Sequence, residues 1–259
     1  QEKSKKNSLW EGQAQDGKNT GSSGGSASST GAVLSPGPAR SAGSDGTGVG
    51  PVGGAKAVET HYETLMDLDA LDAWIDQARK AGVFAFDSET DSLDSLVAQP
   101  VGFSLSTRAG SACYIPLRAG ESEVLPADQV RLKLKTLLQD PTLRMLGQNL
   151  KYDYKVLKRW GIEIKNIYFD TMIAAWLLDA AGGNFNMDDL ALRYLQYQTV
   201  HYKDIVAKNQ TFDQIDLSKA AHYAAEDADI TYRLYEHFLP ELTDRKLDYL
   251  FFEIEMPLL

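Results

Sequence analysis

VFAFDSET, residues 83–90, is four apolar residues followed by a polar end that carries two acids. The run is short, rich in Val and Phe, and bounded by Gly82 on one side and a Thr-Asp-Ser stretch on the other, which reads as a buried strand. In a strand, residues i and i+2 point to the same side. Asp87 and Glu89 therefore share a face at the strand's C-terminal end, where open α/β sheets hold their ligands. Two like charges placed side by side on an otherwise apolar strand are costly unless a cation neutralises them. Two solvated loop acids would also fit this stretch taken alone.

Outward from this strand, the pattern alternates strands and helices. Leu68–Ala81 has helical spacing in Leu68, Leu71, Trp74, Ile75 and Ala78, with Asp67 or Asp69 as the cap. VGFSLST (101–107) and SACYIPL (111–117) form a hairpin across Arg108–Gly110. A helix over 126–138, a strand over 144–149, a helix over 150–160 ending at Gly161 and a strand over 164–169 follow. Asp170 caps a helix running to Leu178, and Asp91 and Asp94 are loop acids. Further helices are expected over 187–194 and over 217–238, the last stopped by Pro240. An early hairpin followed by βαβ units predicts an α/β domain with a mixed five-stranded sheet flanked by helices.

Residues 18–55, KNTGSSGGSASSTGAVLSPGPARSAGSDGTGVGPVGGA, are too poor in apolar surface to offset their ordering entropy. Residues 1–57 are thus expected to form a flexible, disordered linker, with a folded domain upstream of it. Residues 58–240 would be the folded domain.

Composition narrows the function. A net charge of −10 argues against broad duplex binding by counterion release, but not against an enzyme whose acids hold cations. The single Cys113 excludes an intrachain disulfide and a cysteine zinc site, and the four histidines have no metal-pair spacing. No apolar run reaches the ~20 residues of a membrane span. A cytoplasmic, monomeric protein is expected.

Two more acidic elements stand beside the first. In GQNLKYDYKVL, Asn149 and Asp153 are four residues apart across a helix start, although the macrodipole alone would also favour an acid there. In HYAAEDADITYRLY, Tyr223 and Asp227 share a helix face, and Ala224-Ala225 allows close approach to a neighbour. Glu226 and Asp229 point elsewhere and are expected in solvent.

Together, Asp87-x-Glu89, Asn149-x-x-x-Asp153 and Tyr223-x-x-x-Asp227 resemble the DEDD exonucleases of the tyrosine branch. The stretches FDSETDSLD, GQNLKYD, FDTM, TFDQI and YAAEDADIT resemble the proofreading 3′-5′ exonuclease domain of bacterial DNA polymerase I, over about residues 60–259. The resemblance implies an RNase H-like fold and removal of nucleotides from DNA 3′ ends, single-stranded or frayed. It implies two divalent ions, Mg²⁺ or Mn²⁺, with Zn²⁺ possible at one site. Asp87 would bridge both ions, Glu89 and Asp227 would complete the ion site at the attacking water, and Asp153 would act on the second ion. Tyr223 would orient that water. Leu93 would wedge against the terminal bases and Tyr202 stack below them, while Thr90, Gln148, Asn149 and Tyr152 contact sugar or phosphate. Ala207–Thr211 is shorter than its counterpart in the family.

The same resemblance makes residues 241–259 the start of a truncated polymerase region, and gives the chain a polymerase domain and a 5′ nuclease domain as partners within one longer polypeptide. It points to bacterial cytoplasm near the nucleoid. Two rivals remain: an enzyme on RNA ends similar to RNase D, separated by comparing DNA and RNA strands, and a non-catalytic 3′-end binder, which would hydrolyse nothing with Mg²⁺ or Mn²⁺.

Overall fold

The computed structural model describes residues 50–51, 58–208 and 210–259. Apart from Gly50 and Pro51, which pair antiparallel with Tyr197–Gln198, the expected linker lies outside the described residues.

The sheet has six strands, one more than the sequence suggests. They are β1 (His61–Thr64), β2 (Val83–Thr90), β3 (Pro100–Arg108), β4 (Ser111–Pro116), β5 (Arg144–Gly147) and β6 (Ile167–Asp170), in the spatial order β1-β4-β3-β2-β5-β6. The pairs β1–β4, β2–β5 and β5–β6 are parallel, and β2–β3 and β3–β4 are antiparallel. The added strand is β1. Its four residues, HYET, alternate exposed and half-buried at the sheet edge, so no apolar run announces it.

Helix α1 (Leu68–Ala81) is capped by Asp67, whose carboxylate accepts from Ala70 N at 2.7 Å. It packs with α2 (Ala127–Leu138) and the side of α3 (Leu150–Arg159) on one face of the sheet. There Phe84 and Phe86 of β2 meet Phe103, Leu105, Cys113, Ile115, Trp74, Leu134 and Leu157 in the larger core. Strand alternation sends Ala85 into the second core, on the opposite face, with α4 (Thr171–Leu178) and α7 (Leu217–Asp244). Asp87 and Glu89 continue the Ala85 side. Between α4 and α7 come α5 (Met187–Leu190), continued by a π-helical turn over Ala191–Leu195, and α6 (Tyr202–Ile205).

α7 is the spine. It packs against β1, β2, β3, β4 and β5. Ala225 and Ala228 lie on Ala112 of β4, all fully buried, while Ala224 packs in a separate cluster with Val101 and Tyr114. The helix does not stop at Pro240 but runs through to Asp244. An interior proline costs about 3 kcal/mol. Two anchors beyond it hold the last turn: Leu242 is fully buried, and Arg245 Nη1 donates to the Leu178 carbonyl at 2.9 Å. The following segment stays on the domain too, with the Phe251 ring tilted against Phe169 of β6, centroids 4.6 Å apart.

Candidate active site

Three carboxylates meet where β2 ends under α7. Asp87, Glu89 and Asp227 are 4%, 3% and 3% exposed, and each offers an oxygen within 4.8 Å of the others. Alternation along β2 and the crossing of α7 over β2 place them there. A group of hard oxygen donors this crowded suits a divalent cation such as Mg²⁺ or Mn²⁺.

Asp153 lies in the first turn of α3, buried, outside this 4.8 Å group. It reaches the site through Ser88, whose hydroxyl donates to Asp153 Oδ1. Ser88 sits between Asp87 and Glu89, so the second acidic element is tied to the end of β2 that carries the first. Nothing in the spacing of the sequence signals this serine.

Asn149 starts α3 in the left-handed region (φ 58°, ψ 47°), a conformation asparagine tolerates better than most residues. Its backbone N–H and that of Leu150 donate to the Asp170 carboxylate at 3.2 and 2.7 Å. Asp170 also caps α4 through Met172 N at 2.9 Å and Ile173 N at 3.4 Å. One carboxylate thus closes two helix N-termini, which goes beyond the single cap expected. Burial pushes the Asp170 carboxyl up to about 6, while its backbone donors pull the other way.

Of the remaining expected contacts, Thr90 and Tyr152 are joined at their hydroxyls, 2.6 Å apart, and both hydroxyls reach the Ser92 carbonyl. Gln148 Nε2 donates to the Phe185 carbonyl at 2.8 Å and its Oε1 accepts from Thr171 Oγ1, so its amide is largely committed to the protein. Leu93 is half-buried in the loop after β2. Tyr223 is buried beside Tyr202, ring centroids 6.0 Å apart and edge to face, and Tyr202 stacks on Phe212 at 6.3 Å. Tyr202 belongs to this small core, with Val101, Tyr114 and Phe212.

Glu226 and Asp229 correct an expectation. Neither faces solvent; both are 0% exposed. Glu226 accepts from Tyr197 Oη at 2.8 Å and Val200 N at 2.7 Å. Asp229 accepts from Tyr62 Oη at 2.8 Å and from Gly110 N, in the β3–β4 turn, at 2.6 Å, with Arg233 Nη1 at 3.8 Å. Burial pushes Glu226 up to about 7 and raises Asp229, Tyr62 and Tyr197. The cause is that α7 is covered nearly all round over 220–234, so acids on every side are internal. The signal available was the alanine content of AAHYAAEDAD together with the Asp229–Arg233 spacing.

Comparison with known proteins bears on this geometry. The family model described as 3′-5′ exonuclease, of the DNA polymerase A exonuclease type, matches residues 62–243. DNA polymerase I of Rhizobium leguminosarum is 40% identical over 221 residues, covering 76% of this chain and 22% of that protein. DNA polymerase I of Pseudomonas aeruginosa is 38% identical over 229 residues, covering 85% of this chain and 25% of that protein. The chain spans about a quarter of the length of these relatives. Among solved structures, the POL domain of Pol1 from M. smegmatis in complex with DNA primer-template and dNTP superposes with a TM-score of 0.60 at 20% identity, covering 75% of this chain and 30% of that one. Brucella melitensis NrnC with bound Mg²⁺ superposes at 0.52 and 18% identity, covering 73% and 84%. At these identities the two structures attest a shared fold.

Proposed function

Because this chain belongs to the 3′-5′ exonuclease family of DNA polymerase A, we propose that it removes nucleotides from DNA 3′ ends by cation-dependent phosphodiester hydrolysis, the proofreading step of a longer DNA polymerase I chain. The observation that carries this reading is the buried trio Asp87, Glu89 and Asp227, with oxygens within 4.8 Å of one another. A donor set of three carboxylates, each nearly closed to water, fits Mg²⁺ or Mn²⁺, which favour hard oxygen ligands. Asp87, Glu89 and Asp227 would hold one ion, on which Zn²⁺ could substitute, and Asp87 with Asp153 the second. When bound, such ions make an attacking water more acidic and offset charge on the phosphate and the leaving 3′ oxygen.

The chain's own residues do the rest. Tyr223, one turn before Asp227 on α7, orients the attacking water by its hydroxyl. Ser88 fixes the Asp153 carboxylate against β2. The joined hydroxyls of Thr90 and Tyr152 and the Asn149 amide face the sugar and phosphate, and Gln148, whose amide is bonded to Phe185 and Thr171, supports that wall of the site. Leu93 wedges against the last bases and the Tyr202 ring supports them from below. Stacking and backbone contacts of this kind tolerate any sequence. A mispaired end, which unpairs at lower cost, is then cut more often.

The substrate is a single-stranded or frayed 3′ end. The partners are a polymerase domain and a 5′ nuclease domain of the same polypeptide, in bacterial cytoplasm, with the chain monomeric. Residues 241–259 open the polymerase region, and their packing through Phe251 makes that junction a firm one. Among the described residues no helix is long and apolar enough to cross a membrane.

The test is release of 5′-mononucleotides from a 3′-labelled single strand. Wild type should release them with Mg²⁺ or Mn²⁺ and stop with chelator, and Asp227→Ala should be inactive at all cation concentrations. Equal release by wild type and Asp227→Ala would overturn the reading.

A further inference from the structure

Two carboxylates outside the proposed cation site grip one short segment. Glu226, on the same turn of α7 as Asp227, accepts from Tyr197 Oη at 2.8 Å and Val200 N at 2.7 Å. Asp188 of α5 accepts from Thr199 Oγ1 at 2.6 Å and meets His201 Nδ1 at 2.8 Å. Arg233 lies over the Tyr197 ring at 4.8 Å. Four of the five residues 197–201 are thus tied down, three of them by side chains.

This strap delivers Tyr202. Directly after His201 the chain enters α6, where the Tyr202 ring stacks on Phe212 at 6.3 Å and 17° and meets Tyr223 edge-on at 6.0 Å and 74°. The segment holds little regular structure of its own: a two-residue pairing at Tyr197–Gln198 and a four-residue helix after it. Its course therefore depends on the side chains that hold it, and Glu226 is the one that is fully buried and bonded to it twice.

We infer that Glu226 is a positioning residue of the nuclease: it fixes the 197–201 strap, and through the strap sets the Tyr202 ring against Tyr223 where the substrate's 3′ end is received. This rests on the proposed function. Glu226 adjoins Asp227 in sequence yet acts on the strand-holding side of the site rather than on the cations.

The experiment is a double-mutant cycle between Glu226 and Tyr202 in the 259-residue chain. The readouts are KM and kcat on a 3′-labelled single-stranded DNA oligonucleotide, and Kd for a fluorescein-labelled oligonucleotide by anisotropy in chelator. Glu226→Ala should raise KM and Kd about tenfold with kcat changed less than about threefold, and Glu226→Gln, whose Oε1 can still accept from Val200 N while its Nε2 donates to Tyr197 Oη, should restore both to within about twofold. In a Tyr202→Ala background, Glu226→Ala should add nothing further to Kd. If Glu226→Ala does not fold, Tyr197→Phe and Asp188→Asn run the same cycle. Independent, multiplying effects of the two substitutions, or a fall in kcat at unchanged KM, would overturn the inference. Wild type that binds DNA but releases no nucleotide would sink the nuclease reading, while the Kd cycle still decides the role of Glu226.

Discussion

Asp227→Asn should make the cation-free protein more stable and the cation-loaded protein less responsive. Asp87, Glu89 and Asp227 present oxygens within 4.8 Å of one another while nearly shut off from water. Two unit charges at that distance repel by about 3 kcal/mol at an effective dielectric constant of ~20. Replacing Asp227 by its neutral isostere removes two of the three repulsive pairs. Screening by salt and the loss of carboxylate hydrogen bonds reduce the gain to about 1–3 kcal/mol. For a folded region of this size, each kcal/mol moves Tm by about 2–4 °C. In chelator the variant should therefore melt about 3–10 °C above wild type. A cation at 100 times its Kd stabilises by about 2.7 kcal/mol, so wild type should rise by about 5–10 °C with saturating Mn²⁺ and overtake or match the variant. Thermal melts by circular dichroism, each protein in chelator and in a Mn²⁺ series, read both shifts. The reasoning fails if the variant melts below wild type in chelator, or if Mn²⁺ raises both proteins equally.

Three shorter expectations accompany it. Tyr223→Phe should lower kcat about tenfold, the worth of one positioning hydrogen bond, with Tm nearly unchanged because the ring stays against Tyr202 and Phe212; full retention of kcat in a steady-state assay would remove the hydroxyl from the mechanism. Asp170 holds its proton in the folded state up to about 6, above the unfolded range near 4. The folded state then binds more protons than the unfolded one between about pH 4 and 6, so its contribution is fully present below that window and about 3 kcal/mol is lost as pH rises through it. The stability lead of wild type over Asp170→Asn should shrink accordingly in urea melts at pH 4.5 and 7, and a lead that grows with pH would contradict this. Gly102 faces the Tyr114 ring, where an added Cβ would stand 2.3 Å from the hydroxyl oxygen; Gly102→Ala should cost about 1–3 kcal/mol by overpacking, read as a lower urea midpoint at unchanged slope.

Much of this was legible from residues. VFAFDSET reads as a strand with two acids on one face because alternation survives burial, and β2 has that form. α1 and α4 begin where Asp67 and Asp170 cap them, since capping is a local interaction that short-range spacing reveals. What escaped was set by distant partners. β1 is a polar edge strand whose pairing with β4 is fifty residues away. Pro240 marks a stop only in an isolated helix; here Leu242 and Arg245 fasten the turn beyond it. Glu226 and Asp229 look like surface acids until Tyr62, Tyr197 and the backbone at Gly110 and Val200 close over them. In the site, spacing alone brought Asp87 and Glu89 together, and family resemblance was needed to add Asp153, whose tie to β2 runs through Ser88.

The helix that carries Tyr223 and Asp227 is also the one that spans β1 to β5. A shift of one residue along it would move these groups by about 1.5 Å and turn them by about 100°. The cutting machinery therefore cannot be assembled by any fragment of the sheet or by a loosely collapsed chain. A half-made or heat-damaged copy would hold the three carboxylates apart, so the site is gained in the same step as the native architecture and is surrendered with it.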